Sequence, residues 1–317
     1  MPAHIPRSIL VLGAGELGTA VLRSLAVRSE IRSANCSLHV LLRPSTAEST
    51  DPTKKAQVAS FKALNISIVK GDLSVATSAG LSQLFRTHNI DTVIGCTGFT
   101  EDHSLQLKIA QGVYESGTVK RYFPWQFGVE YDLIGRQAGF GLFADQLDVR
   151  DLIRKRQASV EWVIVSTGMF MSFIFEEFFG VLHRDDDKLT VRALGSWDTK
   201  VTLTAVEDIG ALTAAIVFDP AVSNQVVYVA GQTLSYGQFA DIVGEFAPLQ
   251  KEEWTMNHLM AELEKDTQDQ LKKYRVVFGE GTGVSWDETE TYNIKRGLKT
   301  TCVKEWIQAH PAVLTKG

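Results

Sequence analysis

Short apolar runs alternate with segments of helical periodicity along the first half of the chain. The run Ile9–Leu12 leads into a glycine-rich turn, and apolar residues then recur at helical spacing from Leu17 to Leu25. Further runs predict strands over Ser37–Arg43, Ile66–Lys70, Asp91–Gly95, Val119–Phe123 and Val160–Val165. The segments between them predict helices over Lys54–Leu64, Leu73–His88, residues 105–117 and residues 140–157. This alternation predicts an α/β protein with a doubly wound parallel sheet.

The alternation loosens after Phe170. Two short strands are predicted there, Lys188–Arg192 and Lys200–Thr204, with helices over Val206–Phe218, residues 236–246, His258–Leu271 and Val303–His310. Gln225–Ala230 is apolar enough to return to the parallel sheet. We therefore predict one domain over residues 1–165, with residues 198–233 returning to it. A smaller α+β domain is predicted over residues 166–197 and 234–317.

Composition narrows the class of protein. The 317 residues carry a net charge of −5 and show no stripe of Lys and Arg, which argues against a nucleic-acid partner. The most apolar stretch, Trp162–Phe175, is too short to span a membrane, and the first strand begins too early for a leader peptide. Three widely spaced cysteines indicate reduced thiols and a cytoplasmic location. Cys36 and His39 lack a second ligand pair, so no metal site is predicted.

The turn after the first strand has the G-x-G-x-x-G spacing of a dinucleotide fingerprint, with Gly13, Gly15 and Gly18. In such a loop the first glycine permits the tight turn and the second lets the backbone approach a pyrophosphate. The third lets the helix lie close to its strand. The helix N-terminus adds unpaired N–H donors. We therefore predict that Gly13–Gly18, including Ala14, Glu16 and Leu17, bind a dinucleotide in a Rossmann-type domain.

The end of the second strand indicates which dinucleotide binds. An acidic residue there accepts the ribose hydroxyls of NAD, whereas arginine suits the 2′-phosphate of NADP. The chain has no acid at this point; it reads Arg43-Pro44-Ser45-Thr46. Arg43 with Ser45 and either Lys54 or Lys55 supplies donors, so the predicted cofactor is NADPH/NADP rather than NAD.

Ligands of doubly wound sheets bind beyond the carboxyl ends of the strands. The residues that follow the later strands are therefore the other predicted cofactor contacts. They are Thr97, Gly98, Phe99, Pro124, Trp125, Phe127, Thr167, Gly168 and Phe170.

Two further observations bear on the class of enzyme. None of the seven tyrosines is followed by lysine four residues later, so the Tyr-x-x-x-Lys pair of short-chain dehydrogenases is missing. The run Gln106–Gly128, QLKIAQGVYESGTVKRYFPWQFG, resembles the isoflavone reductase and NmrA-like family of atypical short-chain dehydrogenases, especially its fungal isoflavone-reductase-like members. The fingerprint, the Arg43 turn and Glu207–Gly210 resemble that family too.

The resemblance implies an NADPH-binding domain, a small C-terminal substrate-binding domain, and reduction of phenolic or other aromatic secondary metabolites. The family's catalytic lysine corresponds to Gln146, and the Ser-Glu of its PSEFG motif corresponds to Trp125-Gln126. Gln146, Trp125 and Gln126 are the catalytic candidates on this basis. Glutamine can orient a carbonyl but does not act as an acid at neutral pH.

The substrate is predicted to be a flat, apolar molecule, with water, Tyr131 or His183 as the source of the proton. The predicted substrate contacts are Tyr131, Met169, Phe170, Phe173, Phe178 and His183. Two other readings stay open. One is a regulator that resembles NmrA and binds NADP without turnover. The other is an enzyme in which the cofactor has a non-redox or internal-redox role. A monomer and a homodimer are both compatible with the sequence.

Overall fold

A seven-stranded sheet is the central feature of this computed structural model, which describes residues 4–33, 35–98, 102, 104–185 and 188–315. The strand order is β11-β6-β5-β4-β1-β2-β3, and the pairing is parallel from β6 to β3. The strands are β1 (Ser8–Leu12), β2 (Ser37–Leu42), β3 (Ser67–Lys70), β4 (Thr92–Gly95), β5 (Arg121–Phe123), β6 (Glu161–Ser166) and β11 (Gln225–Tyr228). The predicted fold class is thereby confirmed, and β11 lies at the sheet edge.

The helices that accompany this sheet follow the predicted alternation. They are α1 (Glu16–Ala26), α2 (Ser29–Arg32), α3 (Pro44–Ala47), α4 (Pro52–Ala63), α5 (Ser78–Thr87), α6 (Leu105–Ser116), α8 (Ala144–Lys155) and α9 (Val206–Val217). Their starts have local causes. Asp51 accepts a hydrogen bond from the Lys54 N–H, and Pro52 occupies the first turn of α4. Thr77 caps α5 in the same way, so the predicted helix over Leu73–His88 is a 3₁₀ turn followed by a shorter α-helix.

The chain divides into two compact units. The first comprises Met1–Gln126, Asp148–Val165 and Ile209–Val226, and the second comprises Phe127–Leu147, Ser166–Asp208 and Val227–Gly317. In the first unit, apolar residues of the sheet pack against α5 and α6, as with Leu10, Val93 and Ile109, none of which is exposed.

A buried arginine lies at the amino-terminal ends of strands β5 and β6 in this first unit. Arg121 is fully buried and pairs with Glu161 at 2.9 Å. The same guanidinium donates to the carbonyls of Ile216 and Val222. These bonds tie α9 and the loop after it to strand β5.

The second unit contains two three-stranded sheets, in the orders β12-β10-β7 and β13-β9-β8. Their strands are β7 (Met169–Phe170), β8 (Leu182–Asp185), β9 (Lys188–Gly195), β10 (Lys200–Thr204), β12 (Gln232–Ser235) and β13 (Leu249–Thr255). The helices are α7 (Tyr131–Ile134), α10 (Tyr236–Gly244), α11 (Met256–Lys265), α12 (Gln270–Glu280), α13 (Tyr292–Lys295) and α14 (Val303–Ala309). Aromatic residues such as Phe175, Phe179 and Phe239 occupy its core.

One predicted helix of this unit is wrong. His258–Leu271 does not form a single helix, because α11 ends before Asp266 and α12 begins after Asp269. The Asp269 carboxylate accepts the N–H groups of Leu271 and Lys272, so it starts a new helix instead of continuing the old one. Strand β13 was not predicted from the sequence, because its residues, LQKEEWT, are mostly exposed and show no apolar alternation.

Candidate functional site

The glycine fingerprint forms the turn between β1 and α1. Gly13 has φ of +103°, and a Cβ there would lie 2.7 Å from the Cys96 carbonyl oxygen. A Cβ on Gly18 would lie 2.1 Å from the Gly13 carbonyl oxygen. Both positions therefore require glycine for reasons internal to the protein, the first for its turn and the second for the close approach of α1.

Gly15 is different from its two neighbours in the fingerprint. Its φ of −71° suits any residue, and a Cβ there would have no atom of the described residues within 4 Å. Neither backbone strain nor packing explains glycine at this position, whereas close approach by a ligand would. Gly15 is also the N-cap of α1 and provides no side-chain cap for the first turn. The space and the N–H donors fit a dinucleotide pyrophosphate.

The other fingerprint residues divide by exposure. The Leu17 side chain is buried against the core, which leaves only its backbone to face a ligand. Glu16 is exposed in the first turn of α1. The Ala14 carbonyl accepts a hydrogen bond from Gln57 Nε2 at 2.8 Å and one from Thr19 Oγ1 at 3.2 Å. Gln57 belongs to α4, so this helix is attached directly to the fingerprint loop.

Arg43 follows β2 as the N-cap of α3 and is exposed, as is Ser45. Across the adjacent strand end, Asp72 has a pKa below its usual range. The cause is chiefly its hydrogen bonds from the Ser74 hydroxyl and N–H, with a smaller contribution from the charge of Arg43. Arg43 is therefore an accessible cation near one carboxylate.

The geometry of α4 separates the two candidate lysines. Lys54 and Lys55 are both exposed. Gln57 reaches the fingerprint loop, and Lys54, three residues earlier, lies about 60° from it around the helix, whereas Lys55 lies about 160° away. Lys54 thus shares the face of α4 that contacts the loop.

Thr97 and Gly98 follow β4, next to the fingerprint. The Cys96 N–H donates to the Leu12 carbonyl, which aligns this strand end with β1. Thr97 Oγ1 accepts a hydrogen bond from Gln106 Nε2 at 2.8 Å, and Gly98 has φ of +76°. Phe99, also a predicted cofactor contact, lies outside the described residues.

The loop after β5 contains Pro124, Trp125 and Gln126. The Gln126 N–H donates to the Pro124 carbonyl, and Gln126 Oε1 accepts a hydrogen bond from Arg150 Nε at 2.8 Å. The side chain of Gln126 is 1% exposed, so this catalytic candidate is enclosed in the protein. Trp125 is partly exposed, and its backbone N would meet a Cβ on Gly95 at 2.8 Å. The loop therefore packs directly on the end of β4.

The remaining candidates belong to the second unit. Phe127 and Gln146 are buried, at 6% and 5% exposed. Gly168 has φ of +71°, and the preceding Thr167 carbonyl accepts a hydrogen bond from Thr204 Oγ1 at 2.6 Å. Met169 and Phe170 form strand β7 against β10, with Met169 buried and Phe170 partly exposed.

Several predicted substrate contacts belong to one row of aromatic rings in this unit. Phe173 lies 4.9 Å from Phe179, 5.5 Å from Phe178 and 6.4 Å from Tyr274, measured between ring centroids. Tyr274 continues through Phe143 to Tyr131. Phe178 is 50% exposed. The structure therefore brings Tyr131, Phe173 and Phe178 into one row.

His183 is not part of that row. It lies in β8, and its Nδ1 is 3.0 Å from Glu177 Oε1. The carboxylate offers this histidine an ion pair when the ring is protonated. His183 therefore has a structural partner on the same surface.

Sequence reasoning missed a buried acid in the second unit. Glu130 Oε2 accepts a hydrogen bond from the Tyr228 hydroxyl at 3.1 Å and lies 3.5 Å from Ser166 Oγ, and Oε1 accepts the Asp132 N–H. Ser166 and Tyr228 are the last residues of β6 and β11. The position of these two residues at the carboxyl ends of strands was the available signal, but it did not reveal their common partner.

Within the described ranges, no three His, Cys, Asp or Glu side chains gather in a way that would hold a metal ion. Among the same residues, no helix has the length and apolarity that crossing a membrane requires.

Comparisons with known proteins agree with this architecture. The chain is 45% identical over 305 residues to a protein of Gibberella moniliformis described as an NmrA-like family domain-containing oxidoreductase, covering 95% of this chain and 97% of that one. It is 29% identical over 243 residues to isoflavone reductase homolog P3 of Arabidopsis thaliana, covering 74% and 73% of the two chains. A solved structure described as AtPrR2 with NADP+ and (+)pinoresinol superimposes with a TM-score of 0.77 at 22% identity, covering 96% of this chain and 99% of that one.

A match to a family model identifies the family of this chain. The model of the NmrA-like family matches residues 6–307, which is nearly the whole chain, and the predicted family resemblance is thereby confirmed. The full-length relative above is an oxidoreductase by description. The chain belongs to the NmrA-like family.

Proposed function

We propose that this protein is an NADPH-dependent reductase of an aromatic, phenolic or polyketide-type secondary metabolite. The observation that carries the proposal is Gly15, whose missing side chain leaves open space at an uncapped helix N-terminus. The oxidoreductase relative at 45% identity supports redox chemistry. The NADP+ and (+)pinoresinol named for the similar structure support the cofactor and the class of substrate.

The fingerprint loop would bind the cofactor pyrophosphate through the N–H groups at the start of α1. Arg43 and Lys54 would bind the 2′-phosphate, Arg43 as a fork of N–H donors and Lys54 as a point charge. Ser45 adds a hydroxyl beside Arg43. NADPH, when bound, supplies the hydride.

The roles of the other candidates concern the nicotinamide and the substrate. Trp125 would flank the nicotinamide, with Thr97, Gly98, Thr167 and Gly168 as further cofactor contacts. Gln146 would orient the substrate carbonyl by hydrogen bonding. The aromatic row, with Phe173 and Phe178, would provide flat apolar surfaces for an aromatic ring. The proton would come from water, Tyr131 or His183, since Gln146 has no acidic proton.

The test is transfer of deuterium. NADPH labelled with deuterium at C4 is incubated with the protein and with phenolic, quinone and polyketide-type probes, among them (+)-pinoresinol, and the products are analysed by mass spectrometry. We expect deuterium in at least one product and a slower reaction with NADH. Gln146→Ala should then lower kcat about tenfold if this residue orients the substrate.

A second candidate function is favoured by one observation. Gln146 stands where the family's lysine is expected, and its buried amide cannot donate a proton as an acid. This suits a regulator that binds NADP without turnover. Tight NADPH binding with no deuterium transfer to any probe would establish that function and overturn the reductase.

A further inference from the structure

The segment Arg43–Gln57, which we name the strap, connects the end of β2 to the fingerprint loop. It contains α3 and the first half of α4. The N–H groups of Thr46 and Ala47 donate to the Arg43 carbonyl, and the Lys54 N–H donates to the Asp51 carboxylate. These local bonds give the strap a defined shape. Of its three cationic residues, Arg43, Lys54 and Lys55, the first two are the ones we assign to the cofactor phosphate.

The strap is attached to the fingerprint loop by Gln57. Its Nε2 donates to the Ala14 carbonyl at 2.8 Å and lies 3.4 Å from Thr19 Oγ1. Thr19 Oγ1 donates to the same carbonyl at 3.2 Å. Two donors therefore fix the direction of the Ala14 C=O, and one of them comes from the strap.

The direction of the Ala14 carbonyl determines the direction of the Gly15 N–H. The Ala14 C=O and the Gly15 N–H belong to one planar trans peptide, so they point in opposite directions. Gln57, by holding the carbonyl, orients the Gly15 N–H. That N–H starts α1 at the one fingerprint glycine whose Cβ would meet no atom within 4 Å in the described part of the chain. Gln57 on α4 thus orients the Gly15 N–H at the start of α1.

We propose that Gln57 is a positioning residue that couples the 2′-phosphate end of the cofactor site to its pyrophosphate end; this rests on the proposed binding of NADPH. A phosphate held by Arg43 and Lys54 keeps the strap against the loop, and the bond from Gln57 then keeps the Gly15 N–H aimed at the pyrophosphate. NADH has no 2′-phosphate, so the hydrogen bond from Gln57 contributes less to its binding than to that of NADPH. Gln57 therefore contributes to the preference for NADPH without touching the phosphate.

The experiment measures Kd for NADPH and for NADH by calorimetry on the full chain. Gln57→Ala removes the side chain, and Gln57→Glu keeps its size but removes the N–H donors. Gln83→Ala is the matched control, because Gln83 lies on α5 and bonds only to Thr87 and Arg86 among its described contacts. We expect both Gln57 variants to weaken NADPH binding about tenfold and NADH binding about twofold, so that the preference falls about fivefold. Thermal unfolding should stay near that of the parent, since Gln57 is only half-buried.

A double variant sharpens the test. If the link acts through the 2′-phosphate, Arg43→Ala already removes most of its benefit, and adding Gln57→Ala then weakens NADPH binding about twofold more. Equal losses for NADPH and NADH, no loss in the Gln57 variants, or fully multiplicative losses in the double variant would overturn the coupling. A parent protein that binds NADPH no more tightly than NADH would instead overturn the proposed NADP preference.

Discussion

Arg150 Nε lies 2.8 Å from Gln126 Oε1, and both side chains are withdrawn from solvent, at 0% and 1% exposed. Arg150 belongs to α8 and Gln126 to the loop after β5, so the bond joins two elements of the first unit that are 24 residues apart. It holds in place the loop that carries Trp125. A residue that sequence comparison marks as a catalytic candidate thus has a structural partner inside the protein.

We expect Arg150→Ala to lower the free energy of unfolding by about 3 kcal/mol, because it removes a charge-assisted hydrogen bond and leaves the Gln126 carbonyl buried without this donor. Denaturation in urea measures the effect. Arg156→Ala is the control, since Arg156 is exposed and its guanidinium lies over the Tyr114 ring at 5.6 Å; that change should cost about 0.5–1 kcal/mol. Equal losses in the two variants would contradict this account of Arg150.

Gly15→Ala should leave stability within about 0.5 kcal/mol of the parent, because the backbone suits alanine and the methyl group meets none of the atoms that the structure describes. The same change should weaken NADPH binding at least about tenfold, since the methyl group enters the space for the pyrophosphate. Calorimetry with NADPH measures the change in affinity, and thermal unfolding measures the change in stability.

Gly18→Ala provides the contrasting case. Its methyl group would lie 2.1 Å from the Gly13 carbonyl oxygen, so α1 must move away from β1. We expect a loss of about 2–3 kcal/mol in stability as well as weaker binding. A Gly15 variant that loses as much stability as the Gly18 variant would show that position 15 is glycine for packing and not for a ligand.

The two lysines of α4 should differ in their effect on cofactor affinity. Lys54→Ala should weaken NADPH binding about tenfold and leave NADH binding nearly unchanged, because Lys54 shares the helix face that contacts the fingerprint loop. Lys55→Ala is a matched control that removes the same charge from the opposite face and should change neither Kd more than about twofold. Equal effects of the two substitutions would reject the assignment of Lys54.

His39 gives a pH dependence of stability. Burial in β2, with a smaller effect of His88, lowers the pKa of His39 below its usual value of 6.5. The unfolded chain therefore binds a proton at a higher pH than the folded protein does, and stability should fall as the pH drops through 6.5. Urea unfolding of the parent and of His39→Gln between about pH 5 and 8 checks this, with a flatter profile expected for the variant. If stability changed with pH equally in the parent and in His39→Gln, His39 would not be the cause of the pH dependence.

Much of the candidate site was accessible from the sequence because its signals are local. The glycine spacing places Gly13, Gly15 and Gly18 in one turn, and Arg43 follows the next strand by a fixed count of residues. Neither depends on contacts with distant parts of the chain. The break between α11 and α12 was also local, at Asp269, but its capping competes with a helical periodicity that continues across it.

The sequence by itself determined the alternation of strands and helices, the family and the cofactor fingerprint, because each is encoded in the spacing of neighbouring residues. Only the tertiary structure decided that Gln57 binds the Ala14 carbonyl, that Arg150 binds Gln126, and that Tyr228 binds Glu130. These pairs are 43, 24 and 98 residues apart. Hydrogen bonds reach about 3 Å, so which polar groups meet depends on where the packed elements place them. The same packing gives Gly13 and Gly18 neighbours that exclude a side chain, and it gives Gly15 no such neighbour among the described residues.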